Sequence, residues 1–194
     1  MSSRRRFHQW FNRVRFQLVL CISIVVLAMT IIVITPASAW VHHPGWWAEQ
    51  SNEVPVTYRW GSNLQGPSAW RTAFARARDD WNTRPTKVQW SHYESSLNIW
   101  NTYWADDGWY GYASWVLHSN DNFYWCDAFG NTYGGYSTTD NQRRSTAGHE
   151  LGHCLGLAHS NVPDAIMRSG RNRDVIFSPW QDDVDGINAK YGTP

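Results

Sequence analysis

The sequence predicts an α+β domain. Five short segments between residues 54 and 126 have strand character, an amphipathic stripe marks a helix over 69–82, and two more helices follow the strands. Val54–Trp60 is the first strand. From Ala69 to Asn82, Trp70, Phe74, Ala77 and Trp81 recur at helical spacing, and Pro85 stops the helix. Val88–Trp90, Leu97–Trp100, Tyr112–Leu117 and Asn122–Cys126 are short strands separated by Gly, Asn and Asp turns. A helix is expected from about Ser145. The last helix takes Ser178 as N-cap, Pro179 at its first position and Gln181 to complete a capping box. Trp180, Val184, Ile187 and Tyr191 would form its buried stripe, and Gly192 would end it.

The chemistry is concentrated in His149-Glu150-Leu151-Gly152-His153-Cys154-Leu155-Gly156-Leu157-Ala158-His159. Histidines four apart on a helix project from one face about one turn apart and can grip one ion. Glu150 stands on the adjoining edge of that face, near the ion without needing to bind it. Gly156 can adopt the left-handed conformation that ends a helix, so the chain can turn back and deliver His159 as third ligand. Three neutral imidazoles leave a tetrahedral zinc one open position, the mark of a catalytic site. Chance would give all five residues at these spacings in roughly one sequence in 10^5.

This pattern resembles the metzincin clan of zinc endopeptidases, whose motif is followed by a methionine turn, here Asp164-Ala165-Ile166-Met167. Within the clan it is most similar to the matrixins: Ser160 follows His159, and the stretch from Ser178 to Gly192 resembles the helix that closes a matrixin catalytic domain. The likeness spans most of residues 54–192 and is specific in 146–167 and 178–192. It implies a zincin-like fold, a twisted and mostly parallel five-stranded sheet with an antiparallel edge strand and three helices. It also implies one catalytic zinc on His149, His153 and His159, Met167 as an apolar floor beneath them, and a monomer acting on protein or peptide substrates. Gly111, Tyr112, Ala113 and Ser114 fall where matrixins place the edge strand that pairs with an extended substrate. Glu150 would take a proton from the attacking water and pass it to the leaving amine.

Departures from the family pattern matter as well. Ser114 stands where a histidine of the matrixins' second, structural zinc is expected, and Phe123-Tyr124-Trp125-Cys126 supplies no histidine around another. A second zinc is therefore not expected, whereas structural calcium stays open. Met167 is followed by Arg168-Ser169 in place of the usual Tyr-Pro, so the wall of the specificity pocket does not carry over. His42 and His43 read as an exposed pair near the domain's start, and His92 and His118 as surface or locally satisfied side chains.

The first 39 residues carry Arg4, Arg5, Arg6, Arg13 and Arg15, an apolar run from Leu18 to Ile34, and Pro36-Ala37-Ser38-Ala39. They read as a secretory signal peptide cleaved after Ala39, or, uncleaved, as an N-terminal membrane anchor; both readings export the domain. Residues 40–53 are then a short N-terminal segment, too short for a folded pro-domain, and 54–194 the catalytic domain. Removing the five leader arginines from the 17 Lys and Arg leaves 12 against 16 Asp and Glu, a formal charge of −4 that argues against a nucleic-acid partner. Cys126 and Cys154, an even pair in an exported chain, are expected to form a disulfide.

Of the 14 tryptophans, all but Trp10 follow Ala39. They either fill the core or form a surface platform for glycans or peptidoglycan. The second reading frames the competing function, an exported carbohydrate- or wall-binding module with a vestigial zinc site. An intact Glu150 argues against it, because a purely structural metal site has no need of that carboxylate.

Overall fold

The structure is a computed structural model, and it describes residues 40–194. The leader or anchor expected over 1–39 lies outside the described residues, among which no helix is long and apolar enough to cross a membrane. Strand β1 (Val54–Trp60) buries Val54, Val56, Tyr58 and Trp60, the period of two that a half-covered strand requires. β2 (Val88–His92) runs parallel to it from the register Val54↔Val88, and β3 (Ile99–Tyr103) is parallel on its other side. β5 (Phe123–Asn131) adds in parallel to β3, and β4 (Gly111–Leu117) pairs antiparallel with β5. The order is β2-β1-β3-β5-β4, so β4 lies at one edge of the five-stranded sheet.

Helix α1 (Ala69–Asn82) makes the crossover from β1 to β2. Ser68 caps it by accepting the Arg71 N–H, and its buried face is Trp70, Ala73, Phe74, Ala77 and Trp81. Helix α2 (Asp140–Cys154) packs against α1, with the Trp81 indole donating to Gly148 O at 3.0 Å. Helix α3 (Gln181–Tyr191) closes the described chain and buries Val184, Ile187 and Tyr191. The core between sheet and helices is aromatic: Tyr58, Phe74, Trp81 and Trp100 are each fully buried, and the Tyr58 and Trp100 rings stack 3.4 Å apart. Five of the tryptophans, Trp60, Trp70, Trp81, Trp90 and Trp100, belong to this core, whereas Trp46, Trp104, Trp109, Trp115 and Trp180 are exposed.

Several boundaries differ from the expectation. Helix α2 begins at Asp140, because Thr139 and Gln142 form a capping box that Ser145 had obscured. Helix α3 begins later than expected: Trp180, not Ser178, is its N-cap, and Asp183, not Gln181, reaches back to accept the Trp180 N–H. Ser178 instead accepts from the Arg84 guanidinium. Trp180 precedes the helix in extended backbone and is exposed, so it leaves the buried stripe. β3 starts at Ile99, not Leu97, since the Ser96 hydroxyl and Asn98 amide occupy Thr57 O, the place where the ladder would have begun. β5 runs on to Asn131 because it is paired on both sides.

Residues 40–53 fold onto the domain. His42 bridges to Leu157, Ala158 N donates to Val41 O, and the Trp47 indole donates to Cys154 O at 2.7 Å. His42 and His43 are thus not the exposed pair expected: both are partly buried. The His43 ring stacks on Trp115 at 4.2 Å, with Nε2 2.7 Å from His153 O.

Candidate metal centre and cleft

Helix α2 presents His149 and His153 one turn apart, and Gly156 then reverses the chain with φ +87°. A side chain at that position would be strained by the backbone and would also meet Lys190 and Gly45 O. The turn brings His159 back, so that one donor atom from each of His149, His153 and His159 lies within 4.8 Å of the others. Two carbonyls orient the rings. His149 Nδ1 donates to Ile166 O and His153 Nδ1 to Leu157 O, each at 2.8 Å. A carbonyl can only accept, so both Nδ1 atoms carry the proton and each Nε2 keeps its lone pair for a metal.

The electrostatics agree. Burial holds His149 well below the usual histidine range, pushes His153 down to about 4, and lowers His159. The Arg171 guanidinium lies 3.1 Å from His149 Nδ1. Both nitrogens are donors, so that approach disfavours an imidazolium instead of making a hydrogen bond. Neutral imidazoles converging by Nε2 fit a zinc ion.

Glu150 is buried beside this cluster, and burial pushes its carboxyl up to about 8, against the attraction of Arg171. It faces β4 across the cleft. A Cβ on Gly111 would come within 3.0 Å of Glu150 Oε1 and still closer to Thr146 and Phe129 O, so the strand can approach α2 only with glycine there. Tyr112, Ala113 and Ser114 follow along the outer strand of the sheet. A cavity of about 440 Å³ separates the two sides, lined by Gly111–Ala113 on one and by Glu150, the three histidines, Ser169 and Arg171 on the other.

Met167 is buried against the helix that carries His149 and His153. Its Sδ occupies the space that a Cβ on Gly152 would need, with Trp81 alongside. The turn before it is held by Asp183, whose carboxylate accepts the N–H groups of Ile166 at 2.8 Å and Met167 at 3.1 Å. The Ser160 hydroxyl donates to Asp182 at 2.7 Å and its backbone N–H donates to Met167 O at 3.1 Å, locking the residue after His159. Cys126 of β5 and Cys154 at the end of α2 form a disulfide with Cα atoms 5.4 Å apart.

Sequence reasoning missed two contributors. Arg171, although close to the site, belongs to no recognisable motif. It donates to Ser145 Oγ, Ser145 O and Arg168 O, and with Asp174 on Thr139 and Gln142 it fastens the segment 168–177 to the start of α2 as the far wall of the cleft. Asn131, only 1% exposed, was hidden in a strand end; it organises the loop between β3 and β4. Asp183 lay in the recognised C-terminal stretch, but nothing local gave its role.

Comparison with known proteins places this arrangement. Metalloendoproteinase 5-MMP of Arabidopsis thaliana is 48% identical over 58 residues, 28% of this chain and 16% of that protein. Human neutrophil collagenase is 50% identical over 48 residues, 24% of this chain and 10% of its own length. The match therefore spans less than a fifth of these curated relatives. Among solved structures, high choriolytic enzyme 1, a hatching enzyme zinc-protease from Oryzias latipes, superposes with a TM-score of 0.50 at 15% identity, covering 77% of this chain and 95% of that one, which is a likeness of fold. The family model described as Matrixin matches residues 79–192, from within α1 through the metal motif to the end of α3. The chain belongs to the matrixin family.

Proposed function

We propose that the protein is an exported zinc endopeptidase with Glu150 as its general base. The observation that carries this reading is the buried Glu150 carboxylate beside three neutral, convergent histidines in a cleft open to an edge strand. Zinc held by His149, His153 and His159 would supply Lewis-acid polarisation of the scissile carbonyl and make water more acidic. The outer edge of β4, Gly111 to Ser114, would pair with the backbone of an extended peptide and fix its register. Beside a zinc cation, the burial-raised Glu150 carboxyl would be drawn back to its ionised form, accept the proton of the attacking water and hand it to the departing amine, so no covalent intermediate with a side chain is needed. Met167 and Asp183 would keep the ligand loop rigid. Export is supported by the leader pattern and is consistent with a disulfide, which persists in oxidising compartments.

The alternative, a carbohydrate- or wall-binding module with a spent zinc site, is less favoured, because such a module gains nothing from a costly buried carboxylate at Glu150. The test is cleavage of casein and a mixed-peptide library by the purified protein, with and without a chelator, alongside Glu150→Gln. Cleavage that needs the metal and falls by about 10^2-fold or more in a Glu150→Gln protein of unchanged zinc content is expected. Substantial turnover by that variant would remove Glu150 from its assigned role.

A further inference from the structure

The loop joining β3 to β4, Trp104 to Tyr110, spends large aromatic side chains on solvent. Trp104 is 70% exposed, the most exposed large apolar side chain among the described residues, and Trp109 is 63% exposed. This is not slack in a mobile loop. The buried Asn131 donates to Ala105 O and Trp109 O, both at 2.8 Å, and accepts from Ala105 N and Tyr133 N. Asp106 accepts from the hydroxyls of Tyr133 at 2.9 Å and Tyr136 at 2.7 Å, and Tyr136 in turn accepts the Gly108 N–H. Rings follow one another outward: Tyr110 packs on Tyr136, Tyr136 on Tyr133, and Tyr133 on Trp104, with centroids 5.0–5.7 Å apart. Aromatic faces held rigid in water do nothing for the core. They lower the ordering cost of binding a partner.

Two further observations define the partner. The rim is continuous with the cleft, since Trp109, Tyr110 and Tyr112 line the same cavity as Glu150. The loop itself is acidic: Trp104–Tyr110 contains Asp106 and Asp107 and no basic residue, and Arg173 meets it from another segment. A guanidinium already stacks on one of its rings, Arg173 lying 3.4 Å from the centroid of Tyr110.

We propose that this rim binds a lysine or arginine side chain of the substrate, in the stretch of peptide that leaves the cleft past Trp109, between the exposed indole faces and the Asp106–Asp107 carboxylates. The inference deepens the peptidase reading and rests on it for the word substrate. A cation over an exposed aromatic face contributes about 0.5–1 kcal/mol, or roughly two- to fivefold in affinity per ring. The neighbouring carboxylates add an attraction that salt screens.

The experiment uses peptides of one cleavable sequence in which each position in turn carries lysine or Nε-acetyl-lysine. The ratio of kcat/KM for the two forms is measured with wild type, Trp104→Phe and Trp104→Ala, at low and high salt. In parallel, Glu150→Gln protein is titrated with the same peptides by tryptophan fluorescence, which needs no turnover. The expected result is a several-fold preference for lysine at positions on one side of the cut, weakened by salt, largely kept in Trp104→Phe and reduced at least twofold in Trp104→Ala. Equal handling of lysine and acetyl-lysine, or a preference untouched in Trp104→Ala, overturns the proposal. So does displacement of the lysine peptide by neutral oligosaccharide at lower concentration. Charge-dependent binding by Glu150→Gln protein without cleavage by wild type would uphold the basic-side-chain site and defeat the peptidase reading instead.

Discussion

Asp183 holds Met167 in place through the backbone: one carboxylate oxygen accepts the Met167 N–H at 3.1 Å while the other accepts those of Ile166 and Trp180, both at 2.8 Å. A single buried side chain on the closing helix therefore fixes both the N-terminus of that helix and the turn through Ile166 and Met167. Since Ile166 O is also the acceptor that orients His149, the chain of contacts runs from α3 to a zinc ligand.

Replacing Asp183 with alanine strands two buried backbone donors, those of Ile166 and Met167, and removes the cap from the partly buried Trp180 N–H. The expected loss is roughly 3 kcal/mol, read as a lower urea midpoint, together with weaker zinc retention in a chelator competition. Asp183→Asn, which keeps an acceptor oxygen, should lose less. Equal effects from the two would mean that the hydrogen bonds are not what Asp183 supplies.

Gly152 and Met167 make a second pair. A methyl group on Gly152 would intrude on Met167 Sδ and crowd Trp81, so Gly152→Ala should cost about 1–3 kcal/mol. Adding Met167→Ala relieves the collision, and the double variant should be less destabilised than the sum of the two singles. Additive losses in a double-mutant cycle would show that the close approach is not the source.

Removing the Cys126–Cys154 bridge by replacing both residues with alanine should lower stability by about 3–4 kcal/mol on the chain-entropy account, for a sequence separation of 28 residues. The same shift should appear in wild type unfolded under reducing conditions, and the double-alanine variant should be indifferent to reductant.

Asp127 gives a pH dependence with a definite sign. Burial pushes its carboxyl up from 3.8 to about 6, with the Ile99 N–H and Arg59 opposing. Between about pH 4 and 6 the folded protein therefore holds more of this proton than the unfolded chain, so this contribution to stability declines as pH rises through that window and is gone above it. Asp183, also raised by burial, acts with the same sign. In chelator-treated protein, where ligand histidines do not exchange a metal for protons, Asp127→Asn should flatten the slope of the urea midpoint between pH 4 and 6. An unchanged slope would place that titration elsewhere.

The sequence by itself determined what is local and periodic. The spacing of His149, His153 and His159 with Gly156, the stripe on α1, and the alternation along β1 are consequences of helical and strand geometry, so residues four or two apart declare which face they share. The matched fold class and the even cysteine pair were legible for similar reasons of pattern and chemistry. The start of α2 is also local, a capping box between Thr139 and Gln142. What only the tertiary structure decided depends on partners distant in the chain. Asp183 could not announce its grip on residues 16 and 17 positions away, nor Arg171 its place beside His149, nor Asn131 that it sets a loop 22–26 residues earlier. Which tryptophans fill the core and which line the cleft rim was equally closed to composition, because burial is settled by the sheet order and by what packs over each face.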